Sequence, residues 1–140
     1  MIRRLVVLLA VGFVLWPVLV LQGQQRVTPA PSQRDGIFRQ YAPGLLARVN
    51  YQADATGRYR VAIWDLLVGP GRTSEPVNLP GGAVVEVRSG SGRAVIDGQA
   101  REITGGATFV VNEGSSLALA NGHDDLALAL RVTLISAVAP

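Results

Sequence analysis

Three absences bound this chain before any pattern is read. The 140 residues contain no cysteine. No disulfide, no thiolate metal site and no cysteine acceptor for a bacterial lipid anchor is therefore available. Histidine occurs once, at His123, so a centre built from two or three imidazoles is excluded by count alone. Lysine is missing altogether, and all 13 basic residues are arginine. The formal net charge of +3 includes Arg3 and Arg4 at the extreme N-terminus. Without residues 1–23 there remain 11 arginines against 10 acids, which is no basic footprint for nucleic acid. What is present instead is apolar: hydrophobic residues make up 49% and charged residues only 16%. The length suits one domain plus a leader, held by its core alone.

The leader opens with MIRR and continues from Leu5 to Leu21 without a charge. A basic start and an apolar run form the pattern of an export signal or a single membrane anchor. Seventeen helical residues reach about 26 Å, the short edge of what crosses a bilayer. Pro17 would kink such a helix, and Leu21-Gln22-Gly23 offers a poor small-residue cleavage site. Arg3 and Arg4 place the N-terminus in the cytoplasm and the rest outside. Residues 1–23 are thus expected to be a signal peptide or anchor, 24–35 a polar linker containing Pro29 and Pro31, and 36–140 the folded domain. The localisation expected is the cell membrane with the domain outside, or the periplasm or medium if the leader is removed.

Beyond the linker the chain alternates short apolar runs with turn signals, and no helical period separates them. Residues 36–58 are the least regular: a helical turn at Leu45–Val49 and an edge strand at Arg48–Gln52 are equally supported. Tyr59–Val68, Ala83–Arg88, Arg93–Ile96, Gln99–Ile103 and Leu126–Ile135 read as strands. Asp97-Gly98 reads as a two-residue hairpin turn needing positive φ at both positions. Thr108–Val111 and Leu117–Ala120, around Asn112-Glu113-Gly114-Ser115, read as a further hairpin. About eight short strands argue for a sandwich or barrel.

Spacing within that last stretch is more specific than its strands. From Gly106 there are five residues to Asn112, one more to Gly114, two to Leu117 and three to Asn121. This resembles the second signature motif of the cupin family: Gly, five residues, Pro, any, Gly, two residues, His, three residues, Asn. Gly106, Gly114 and Asn121 match, whereas Asn112 stands for the proline and Leu117 for the metal-binding histidine. Val68-Gly69-Pro70-Gly71, Val87-Arg88-Ser89-Gly90 and Val95-Ile96-Asp97-Gly98 resemble further segments of the cupin body in the right order. The resemblance implies an all-β fold, an antiparallel double-sheet barrel of cupin or jelly-roll type, with a ligand site in the barrel mouth.

The same resemblance locates where ligands for a metal would stand. With Gly90 as the closing glycine of the first motif, the glutamate position falls on Ala83. The histidine positions fall on Pro76 and Asn78, or on Val77 and Leu79. None of these carries imidazole or carboxylate, so no metal and no cofactor is expected. Among the carboxylates, Glu75, Glu86 and Glu113 do not converge: Glu86 faces outward if Val85 and Val87 face inward. The candidate interior is apolar, formed by Leu79, Val85, Phe109, Leu117 and Leu119, either lining a ligand site or filling the barrel as core.

Polar candidates are fewer. His123-Asp124-Asp125 is a loop that could transfer protons. Asp65 on a buried strand is a catalytic acid, the partner of an arginine such as Arg60 or Arg131, or the cap of a turn. Arg88 and Arg131 could hold a carboxylate or phosphate. Ser115 and Ser116 have no base nearby in sequence. The function expected is non-catalytic binding of an apolar small molecule or a protein at the cell envelope. A metal-independent isomerase or epimerase, or a structural homodimer paired through an edge near residues 59–68, are the alternatives.

Overall fold

A computed structural model describes residues 36–139. The expectations for the leader and the linker fall outside the described residues. No helix among the described residues is long and apolar enough to cross a membrane; all regular structure there is strand. In chain order these are β1 (Arg39–Ala42), β2 (Leu45–Ala55), β3 (Tyr59–Val68), β4 (Val77–Asn78), β5 (Gly82–Ser89), β6 (Ser91–Ile96), β7 (Gln99–Thr104), β8 (Thr108–Val111), β9 (Ser116–Asn121) and β10 (Leu128–Ala137). They form two antiparallel sheets, ordered β1-β2-β3-β10-β5-β8 and β4-β9-β6-β7.

The period-2 patterns explain how these sheets face each other. On β3, Ala62, Trp64, Leu66 and Val68 point inward and are buried, with Leu128, Leu130, Val132 and Leu134 beside them on β10. Val85 and Val87 point inward from β5, Phe109 and Val111 from β8, and Leu117 and Leu119 from β9. All belong to one continuous core. Trp64 is its largest side chain and meets Tyr41 edge to face, centroids 5.5 Å apart at 77°, a favoured aromatic geometry.

Several expectations are corrected by the pairing. In the irregular region 36–58 the strand reading of Arg48–Gln52 holds and the helical turn does not: the region forms β1 and β2, and β2 lies between β1 and β3 rather than at an edge. β2 carries a bulge at Asn50, where Val49 opposes Trp64 but Tyr51 already opposes Ile63. That extra residue shifts the inward–outward alternation in mid-strand, which is why no clean period was visible. Thr108–Val111 and Leu117–Ala120 are strands, but not a hairpin. β8 pairs with β5 in one sheet, while β9 pairs with β4 and β6 in the other. The Asn112–Ser115 turn, closed by Ser115 N donating to Asn112 O at 3.0 Å, carries the chain across the barrel end. The closing strand starts at Leu128, and Leu126 is exposed. Finally, β3 is not an edge: β2 and β10 flank it on both sides.

Asp97-Gly98 behaves as its chemistry demands, with φ of 49° and 80°, and it joins β6 to β7 in register.

Candidate functional site

The five apolar residues expected inside the barrel do converge there. Leu79, Val85, Phe109, Leu117 and Leu119 are all at most 4% exposed. Leu117 lies opposite Val77 across the β4–β9 pair. The inward-facing pair of the first motif is therefore Val77 and Leu79, both buried, rather than Pro76 and Asn78. Ala83 is buried between Val111 and Leu134. Phe109 is covered from the partner sheet by the Arg101 guanidinium, 5.1 Å from its ring centre. Four surface cavities formed by the described residues are lined by none of the five.

This donor set does not fit a cupin-type metal. A metal of that class needs about three converging nitrogen or oxygen donors. At Val77, Leu79, Ala83 and Leu117 the chain supplies only alkyl groups. Among the described residues no group of three His, Cys, Asp or Glu side chains lies close enough to hold an ion. One buried interior polar atom without a hydrogen-bond partner is Trp64 Nε1, and an indole N–H donates only, so it offers a cation no lone pair.

The residues that do match the second motif carry backbone tasks. Gly106 and Gly114 have φ of 89° and 79°, a region that side chains disfavour. Asn121 Nδ2 donates to the carbonyls of Val68 at 3.2 Å, Gly69 at 3.1 Å and Leu126 at 2.6 Å, while its Oδ1 accepts from His123 N at 2.9 Å. It thus ties the end of β3 to the loop before β10.

His123 sits in that loop, partly buried, its Nε2 2.8 Å from Ser91 Oγ. Its carbonyl accepts from Gly71 N at 2.6 Å. The serine that meets the histidine is therefore Ser91, which nothing in the sequence singled out. Ser115 and Ser116 turn instead to Asp97, whose carboxylate accepts Ser116 N at 2.8 Å. That bond, together with the Ser115 hydroxyl, holds the Asp97 carboxyl below its ordinary value. Neither His123 nor Ser91 lines a described cavity, so the pair reads as a loop staple.

Asp65 occupies the outer face of the six-stranded sheet, on the side of Ile63 and Leu67, yet is only 9% exposed. Arg48 and Arg131 lie directly opposite it on β2 and β10. Arg48 Nη2 donates to Oδ2 at 2.7 Å and Arg131 Nε to Oδ1 at 3.1 Å. Burial alone would raise the Asp65 pKa. Hydrogen bonds from Arg48, Asn50 and Arg131, and the charge of Arg131, overcome that and hold it below the ordinary carboxylate value. Arg131 was foreseen as a partner; Arg60 instead binds Asp54 at 2.7 Å. Arg48 is missed because the sequence supports a helical turn at Leu45–Val49 as well as a strand, and no register against Asp65 follows from it. An ionised, doubly paired Asp65 cannot serve as a general acid near neutrality.

No family model matches the chain, and no curated protein sequence matches it. Solved structures do. The chain is similar to the Cnp3 cupin domain of Schizosaccharomyces pombe, with a TM-score of 0.57 at 12% identity, covering 73% of this chain and 69% of that one. It is similar to a cupin-2 domain of Rhodospirillum rubrum, TM-score 0.56 at 16% identity, covering 80% and 70%. It also resembles a salicylate 1,2-dioxygenase variant of Pseudoaminobacter salicylatoxidans, TM-score 0.55 at 21% identity, covering 66% of this chain but only 25% of that enzyme. The neighbours of this architecture thus include an enzyme as well as proteins described only as cupin domains.

Proposed function

We propose, for a chain that has the cupin fold, that it is a metal-free, non-catalytic binding domain held at the cell envelope by its N-terminal segment. The single observation that supports this reading is the burial of Leu117, at 0% exposure against Val77, where the motif resemblance puts a metal ligand. Packing a leucine there contributes roughly 1.5–3 kcal/mol of hydrophobic stabilisation and leaves no lone pair. The five-residue interior acts in this reading as packed core, and recognition falls to the outer surface.

The leader supports the location. In this reading residues 1–23 anchor or export the chain, and residues 24–35 space the domain from the bilayer. A second reading, contact with a protein or a second copy, is favoured by one feature. Tyr51, Val84, Val110 and Ile135 are all 42% exposed or more, and cross-strand pairing sets them on the outer face of the six-stranded sheet.

Metal analysis of the purified full chain tests the main reading. The expected result is less than about a tenth of an equivalent of iron, manganese, zinc or nickel, as a site with no donor demands. Stoichiometric metal would overturn it. The intact mass of the same sample reports whether residues 1–23 remain.

A further inference from the structure

The outer face of the six-stranded sheet carries a row of charges in cross-strand register: Arg48, Asp65, Arg131 and Glu86. At one side of this row lies a recess of about 300 Å³. Its apolar lining includes Leu67, Ala129 and Phe38, and three guanidinium groups, Arg48, Arg88 and Arg131, reach it. Arg48 lies over the Phe38 ring, 4.6 Å from its centre, which fixes both side chains at the rim.

A ladder of ion pairs usually neutralises itself, but here three guanidiniums face two carboxylates. Asp65 is saturated by Arg48 and Arg131. Glu86 is engaged by Arg88 Nη1 at 2.8 Å. Arg131 commits only its Nε to Asp65, and Arg88 only its Nη1 to Glu86. No described residue accepts from the remaining terminal N–H groups of these two arginines. Arg88 is also the extra residue of a bulge, since Leu130 opposes Val87 and Ala129 opposes Ser89. A bulge re-aims the side chain it carries.

We propose that this recess binds a small organic carboxylate with a compact apolar body. The anionic end would sit on the free forks of Arg88 and Arg131, geometry that suits a planar carboxylate. The apolar body would lie on Leu67 and Ala129 beside Phe38. One surplus positive charge matches a monoanion, and an inorganic anion would leave the apolar floor wet. Asp65 and Arg48 act as positioning residues: they hold Arg131 in place and are not expected to touch the ligand. The inference rests on the reading of a binding role and deepens it by naming a ligand class.

Titration of the full chain in non-ionic detergent with benzoate tests it, with empty micelles as the blank. Inorganic phosphate and benzyl alcohol are run in parallel. Benzoate is expected to bind, and Arg88→Gln to weaken it by about tenfold, the worth of a charge-assisted hydrogen bond. Arg88 is an exposed residue, so an unchanged thermal transition confirms that this variant folds; Arg131→Gln is the second arm. No benzoate binding up to about 10 mM, or binding unchanged by Arg88→Gln, overturns the proposal. Phosphate binding as tightly as benzoate overturns the organic class, and benzyl alcohol binding equally well overturns the role of charge. Metal content measured on the same sample separates the two readings: bound metal would sink the metal-free assignment while leaving the benzoate result to stand by itself.

Discussion

Asp65 shows what one buried charge does on a sheet face. Its carboxylate is nearly out of water but has a guanidinium directly opposite on each neighbouring strand. Replacing it by asparagine leaves Arg48 and Arg131 facing each other's charge across β3. Asp65→Asn should therefore lower stability by about 1–3 kcal/mol at neutral pH, a range reduced because both arginines are partly solvated. The pH dependence follows from the lowered pKa. Its contribution is fully present above the unfolded carboxylate value of about 3.9. It is lost as pH falls through the still lower folded value. The stability difference between wild type and variant in urea unfolding should thus be constant above about pH 4 and shrink as pH falls below it; a difference that does not change on acidification would contradict the assignment. In the sequence Asp65 was legible as a charge needing an arginine, and Arg131 as one candidate. Arg48 was not, because its partnership depends on a strand whose alternation is interrupted at Asn50.

At the scale of elements, local chemistry predicted turns well and pairing poorly. Asp97-Gly98 could be read as a hairpin because both residues tolerate positive φ and the two strands it joins are neighbours. Asn112–Ser115 has turn chemistry of similar quality, yet the strands it joins lie in different sheets. Nothing within four residues encodes that difference; it comes from what β5 and β6 offer as partners. Gly92 illustrates how closely those partners sit. It is in an extended strand with no unusual φ, but a methyl group there would run into the carbonyl oxygen of Ala120. Gly92→Ala must push β6 away from β9. The expected cost is about 1–3 kcal/mol, the range for overpacking. Hydrogen exchange should quicken selectively in the amides that join β6 to β9, while the β3–β10 pairing is spared. Uniform acceleration across both sheets would point to global destabilisation instead.

For the whole molecule, the fold could be read from Gly106, Gly114 and Asn121 because these residues hold backbone in place: two by conformations that favour glycine, one by four hydrogen bonds to main-chain groups. The positions that would tell of chemistry have become Leu117, Val77, Leu79 and Ala83, and apolar residues announce packing without naming a ligand. Of the arginine recess, Arg88 and Arg131 were legible as candidates for a carboxylate, but their apolar neighbour Phe38 was not, since these residues meet only after the sheet has formed. This division between scaffold and chemistry can be tested in one substitution. Leu117→His restores the missing motif residue, but among the described residues its surroundings offer no second or third donor. It buries an unpaired imidazole in place of a packed leucine, which should cost about 2–4 kcal/mol. Added zinc or manganese should not raise the thermal transition of the variant, because linkage stabilises only through a site that binds. A metal-dependent rise in its Tm would mean that other donors reach the barrel centre, and that the interior is less committed to packing than the burial of these leucines and valines implies.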